Sequence, residues 1–248
     1  MKTNVKIISF VIVSFMMLFV IAVSCQRQSA PVRVLLITGG HDYDDSLEEF
    51  INSLPDIVVA HVKHPDALLM FRPENRALYD VVLLYDMNGS ISDSEKKDFI
   101  DCFAEGKGLV VWHHAYASYQ DWSEYKKIIG GRYYYTEWTD SEGVSHPPST
   151  YEHDMNFRVR IKDRNHPIVE GIDDFDIIDE TYGSCCVNPE VNVLLTTDEA
   201  TSVPSIAWTN RYGKSNVVTL LLGHDEQAWN NPNFKKLLTQ AIKWTISN

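Results

Sequence analysis

The chain reads as an α/β protein built on a mostly parallel sheet, with helices on both faces and a β-hairpin towards the carboxyl end. Three observations predict this. Short apolar runs alternate with helical patterns at the pace of βαβ units. Several runs, such as residues 34–37, 81–84 and 109–112, are apolar throughout, as strands buried on both faces must be. Two late runs, 203–209 and 216–222, flank Asn210-Arg211-Tyr212-Gly213-Lys214, whose residues suit a hairpin turn.

The composition fits one such domain. Of 248 residues 44% are apolar and 11% aromatic, enough for a sizeable core. No internal repeat, low-complexity tract or interdomain linker divides the chain. The net charge of −12, with no basic run, argues against a nucleic-acid groove or adhesion to anionic lipid, and the acidity reads as solubility.

Residues 1–24 differ in kind. Lys2 and Lys6 precede an almost wholly apolar run that closes on Ala22-Val23-Ser24-Cys25, the pattern of a secretory signal. It resembles a bacterial lipoprotein signal, in which Cys25 becomes the lipidated mature terminus. The expectation is export, with a lipid anchor on the periplasmic or cell-surface face of a bacterial membrane. The alternative is an uncleaved anchor, since the run is near the lower limit for spanning. Residues 25–31 are then a tether and 32–248 the domain. The remaining cysteines, Cys102, Cys185 and Cys186, are odd in number and lack the spacing of a zinc motif. They read as small buried residues, not a disulfide framework.

Residues 32–38 form the first strand, and Gly39-Gly40-His41-Asp42-Tyr43 follows it directly. Glycines there let the backbone turn sharply, but the spacing is not that of a nucleotide fingerprint. A helix over 45–54 carries Leu47, Phe50, Ile51 and Leu54 on one face. Strands over 57–62 and 80–85 follow, the second ending in Asp86-Met87-Asn88-Gly89. Ser92 and Glu95 make a capping box, and the helix they start stops at Gly106. The strand 109–112 then delivers His113 and His114. Residues 121–129 are a short helix closed by Gly130-Gly131.

The pattern fails over 132–155. This stretch is rich in aromatics, carries His146 and His153, and has a Pro-Pro break. Long irregular insertions are lids or disordered segments, and disordered ones are poor in aromatics, so an ordered, site-covering loop is expected. Its Tyr and Trp rings suit the faces of sugars as well as core packing. Strands over 157–161, 175–178 and 191–195 come next. The strand 216–222 ends in Gly223-His224-Asp225, and Asn231-Pro232 opens the last helix.

Polar clusters thus follow apolar runs repeatedly: His41-Asp42, His113-His114, Asp179-Glu180 and His224-Asp225, with His153-Asp154 from the loop. Singly each reads as hydrogen-bonded scaffolding. Gathered at the carboxyl ends of strands they would line the crevice where open α/β sheets bind ligands.

The ordered set ITGGHDY, YDVVLLYD, GKGLVVWHHA, NHPIVEGI, DETYG, GHDEQAW and NPNFKKLLTQAIKWTIS resembles the ThuA-like (trehalose utilisation) family, over residues 32–247. The resemblance implies a flavodoxin-like, class I glutamine amidotransferase-like three-layer sandwich, and a role in sugar catabolism associated with oxidised (3-keto) glycosides. In glutamine amidotransferases a nucleophilic cysteine occupies the turn after the strand that is here 109–112. This chain has no cysteine or serine between Trp112 and Ala117, so glutaminase chemistry by a thiolate is not expected.

Three readings remain open. The first is an enzyme acting on a glycoside or keto-sugar, with His113, His114, Glu180, His224 and Asp225 as acid–base groups. Its substrate would be held by His41, Asp42, Tyr43, His153, Tyr182 and Trp229. The second adds a divalent metal, zinc or manganese, held by some of His41, His113, His114, His153 and His224 with a carboxylate, although no HExxH-like spacing is present. The third is a non-catalytic, surface-held carbohydrate-binding protein.

Overall fold

Val32–Gly39 (β1) is buried along nearly its whole length, because both of its faces carry apolar side chains. The computed structural model describes residues 30–247, so the leader, Cys25 and nearly all of the tether lie outside the described residues. Among the described residues no helix is long and apolar enough to cross a membrane.

After β1 come α1 (Leu47–Asn52), β2 (Ile57–Lys63), β3 (Val81–Asp86), α2 (Asp93–Ala104) and β4 (Gly108–Trp112). The first helix is shorter than the 45–54 expected: Asp44 accepts the backbone N–H of Ser46, and the helix begins only at Leu47. The capping box at Ser92 and Glu95 is formed, with both reciprocal hydrogen bonds present. Then follow α3 (Ser123–Ile129), β5 (Gly131–Arg132), β6 (Trp138–Thr139), β7 (Ser145–His146), β8 (Thr150–Ile161), β9 (Phe175–Gly183), β10 (Cys186–Val187) and β11 (Asn192–Thr196). The chain closes with the hairpin β12 (Ser205–Tyr212) and β13 (Ser215–Leu220), then α4 (Glu226–Trp229) and α5 (Pro232–Thr245).

Nine strands form one sheet in the order β2-β1-β3-β4-β13-β12-β11-β8-β9. The sheet is mixed, and this corrects the expectation of a mostly parallel, flavodoxin-like sandwich. The pairings from β2 across to β13 are parallel, whereas those from β13 to β9 are antiparallel. The physical reason lies in the connections. The parallel half is joined largely through helical crossovers, which bury β1, β3 and β4 on both faces and leave β2 at the edge partly exposed. The other half is joined by a hairpin and loops, and β8 alternates exposed and buried residues along its inner half.

Two further expectations change. Residues 132–155 are not irregular throughout: β6 and β7 pair as a small hairpin, and Thr150 already begins the long strand β8. Asp179 and Glu180 do not follow a strand end but sit inside β9, where the burial changes from alternating to continuous. Alternation over 175–178 marks the part with one wet face; beyond it both faces are covered. Cys102 and Cys185 are buried and Cys186 partly so, and none pairs with another.

Register sets the site. Trp112 on β4 lies opposite Leu220 on β13, so the chain leaves both strands side by side and at the same end as Gly39 of β1, which pairs Asp86. On the antiparallel arm, β8 runs from Glu152 to Met155 while β9 covers only Thr181 to Asp179. The extra residue is a bulge, with Asp154 at φ +54°. Bulges beside sites re-aim a side chain. This one presents His153 to Glu180 on the neighbouring strand.

Candidate active site

The turn after β4 is the most constrained point of the site. His113 is fully buried and sits at φ +51°, a left-handed conformation uncommon outside glycine, and opens a short 3-10 turn over His113–Ala117. Strain of this kind is kept where the surroundings enforce it. Here His113 Nδ1 donates to the Leu221 carbonyl at 2.7 Å. Its Nε2 then faces three partners: the Tyr182 hydroxyl at 2.9 Å, His224 Nδ1 at 3.1 Å and Glu180 Oε1 at 3.5 Å.

Glu180 is the hub. Besides His113, its Oε2 meets His153 Nδ1 at 2.8 Å and His224 Nδ1 at 3.4 Å. Burial raises the pKa of this carboxyl, but the His113 hydrogen bond and the charges of His113, His224 and His153 outweigh burial and hold it below the ordinary value. For His113 burial lowers the pKa, and Glu180 more than reverses this. His114 is pushed well down by burial, and His224 to about 4 by burial and by His113.

His224 is held by its backbone. Asp179, fully buried, accepts the amide N–H groups of Gly223 at 2.6 Å, His224 at 2.9 Å and Glu180 at 2.8 Å. Tyr85 donates its hydroxyl to the His224 carbonyl, and Trp229 donates its indole N–H to the Gly223 carbonyl. Gly223 itself has φ +98°, and a Cβ there would lie 2.2 Å from Trp112 Nε1. Only glycine fits. Asp179 thereby ties β9 to the chain after β13 and keeps Glu180 facing His224.

The parallel half contributes His41 and His114. Their rings stack with centroids 4.5 Å apart, and His114 Nε2 lies 3.3 Å from the Tyr85 carbonyl. Its Nδ1 is buried and has no hydrogen-bond partner among the described residues. Above these groups lies a cavity of about 190 Å³, with Tyr133, Tyr135 and Tyr151 from the aromatic segment on one side and Met87 and Ala117 among the rest of its wall.

The structure thus brings together His41, His113, His114, His153, Glu180, Tyr182 and His224. It does not bring in the other candidates. The Asp225 carboxylate caps α4 by accepting the Gln227 amide. Trp229 is buried against Phe50 and Trp112 and supports the site from behind. Asp42 and Tyr43 line an open depression with Asp45, Glu48 and Lys63, which adjoins the cavity through His41, a residue common to both walls. Sequence reasoning gave no role to Asp179 as a clamp, nor to Tyr133, Tyr135 and Tyr151 individually. The aromatic density of residues 132–155 was the available signal for the tyrosines.

A family model described as ThuA, trehalose utilisation, matches residues 33–245. Among solved structures the chain is similar to a ThuA-like protein from Parabacteroides merdae, at 20% identity and TM-score 0.73, covering 88% of this chain and 90% of that one. A ThuA-like protein from Bacteroides uniformis matches at 18% identity and TM-score 0.63, over 89% and 94%. PurLQS from Thermotoga maritima matches at 13% identity and TM-score 0.55, over 86% and 99%. At these identities the likeness concerns the fold alone. No curated protein matches the chain.

Proposed function

The chain belongs to the ThuA family, and from that premise we propose that it is an exported enzyme of carbohydrate catabolism acting on a glycoside or an oxidised (3-keto) sugar. The observation that carries this reading is the convergence of His113, His153 and His224 on the single carboxylate of Glu180, at the floor of a tyrosine-walled cavity. Titratable groups gathered in a concave pocket favour a catalytic site over a scaffold. A cavity of about 190 Å³ lies below the roughly 300–1,000 Å³ of drug-sized sites, which suits one sugar ring better than a chain.

An imidazole held on Glu180, such as His153 at the cavity wall, then takes a proton from a carbon beside a carbonyl or from an attacking water and returns it to the leaving oxygen, while Glu180 orients the ring and stabilises its charged form. A glycosidase mechanism with paired carboxylates is disfavoured. Glu180 is the sole carboxylate among the described residues lining the cavity, because Asp179 and Asp225 are engaged with backbone amides. Thiolate glutaminase chemistry is likewise disfavoured, since no cysteine lines the cavity among the described residues.

Export and anchoring through Cys25 rest on the leader alone. Fatty-acid labelling that is lost in Cys25→Ser supports the anchor, and labelling that persists removes it. The enzymatic reading is tested with a panel of glucosides and their 3-keto derivatives, with Glu180→Gln as control. Turnover of at least one sugar, reduced by about 10²–10⁴-fold in the variant, is expected. Tight sugar binding without turnover would make the protein a binding lipoprotein instead.

A further inference from the structure

The geometry points to a divalent transition-metal site formed by His113, His114 and His224, with Glu180 beside the ion. This inference deepens the enzymatic reading and uses the same cluster. The ligand atoms of the three histidines lie within 4.8 Å of one another. Two of the rings are already oriented as metal-binding imidazoles are. His113 spends Nδ1 on the Leu221 carbonyl and His114 places Nε2 against the Tyr85 carbonyl, which leaves the opposite nitrogen of each ring as the lone-pair donor.

The buried Nδ1 of His114 supplies the independent observation. It has no partner among the described residues in a ring only 2% exposed. An unsatisfied buried nitrogen is costly and calls for a ligand. One of the three spacings already has the value that a bound ion requires. Tetrahedral ligands about 2.05 Å from zinc are about 3.3 Å apart, and His113 Nε2 lies 3.1 Å from His224 Nδ1.

A second set, His153, Glu180 and His224, also clusters, but it competes for the same His224. His153 is half-exposed and its Nδ1 is already paired with Glu180 at 2.8 Å. The three-histidine set has the buried orphan; the other does not. Three neutral nitrogens suit zinc or a neighbouring first-row ion, and leave a coordination position open for water or a substrate oxygen. Glu180 then stands where it can take the proton of that water.

Metal content of full-length protein purified without chelator, and calorimetric titration of chelator-stripped protein with zinc chloride, test this without any sugar. One zinc per chain is expected, with a melting temperature raised by roughly 5–10 °C at a hundredfold excess over Kd. His114→Gln and His224→Ala should each weaken binding by at least tenfold, whereas His153→Ala should bind within about threefold of wild type. Circular dichroism of the stripped variants checks that each is folded. Absence of zinc binding by the wild type overturns the site. So does loss of binding in His153→Ala with retention in a folded His114→Gln. Either result leaves the sugar panel to judge the enzymatic reading separately.

Discussion

Replacing Asp179 by Asn isolates a conflict between burial and hydrogen bonding at the centre of the site. The carboxylate accepts three backbone amides yet is buried completely, and burial wins: its pKa is pushed up to about 6 from 3.8. The sign follows from linkage. A carboxyl whose folded-state pKa lies above its unfolded value contributes stability that is full below the unfolded pKa and lost as pH rises through the folded one. A rise of about two units, at roughly 1.4 kcal/mol each, makes that loss about 3 kcal/mol by neutral pH. Asn does not titrate, but its one oxygen can serve only the side where Glu180 and His224 donate, and its amide nitrogen leaves the Gly223 N–H without an acceptor. The variant should therefore lie about 1–3 kcal/mol below the wild type near pH 3–4, and this gap should narrow by about 2–3 kcal/mol at pH 8, where the wild type bears the cost of its own buried charge. Urea denaturation of chelator-treated protein at both pH values, with an unchanged slope, reads this directly. A gap as wide at pH 8 as at pH 3–4 would show that the three amide bonds outweigh burial, and would refute the reasoning. Turnover should fall all the same, because the ionised clamp orients Glu180 and His224 together. The site then holds a charge that costs the fold stability.

Two further substitutions probe the frame. Gly223→Ala sets a methyl against the buried Trp112 and Phe234 rings at a φ of +98°; a loss of about 2–5 kcal/mol is expected by urea midpoint, from overpacking and backbone strain together. A loss under 1 kcal/mol would mean that this turn is not held as described. Tyr182→Phe removes one partner of His113 Nε2 but leaves His224 and Glu180 near it. Stability should drop by about 0.5–1.5 kcal/mol, since no nitrogen is orphaned, while kcat falls more than KM; a drop above 3 kcal/mol would place Tyr182 in the core's support instead.

The parallel half was legible because buried strands announce themselves. The apolar runs ending at Gly39, Asp86 and Trp112 were placed to within a residue or two, and so was the capping box at Ser92. The histidines at those ends, His41, His113 and His114, were legible for the same reason. The antiparallel arm was legible in part: its hairpin and the strands over 157–161, 175–178 and 191–195 were placed, but β8 was missed in its first half and β9 in its second. The first residues of β8, Thr150 to Met155, are mostly exposed on both faces and carry no period-2 signal, and the bulge at Asp154 breaks what alternation there is. Glu180 was identified as chemistry but misplaced in structure, because the run DETYG has covered faces that polarity hides. Asp225 and Trp229 were drawn in by adjacency to His224. Sequence neighbours on a cap and a short helix point in different directions, and only geometry separates them. The clamp role of Asp179 depends on residues 44 and 45 positions away, a distance that local pattern does not span.

The bulged arm has an evolutionary consequence. The histidines after β1, β4 and β13 are fixed by the core, and changing their placement would mean rebuilding the sheet. Three of the four tyrosines that line the cavity, Tyr133, Tyr135 and Tyr151, come with His153 from residues 132–155, which contribute little to that core. Insertions and replacements in this segment can reshape the cavity wall while the histidine and carboxylate cluster below stays as it is. This fold can therefore diversify at the rim and still keep one arrangement of side chains at its floor.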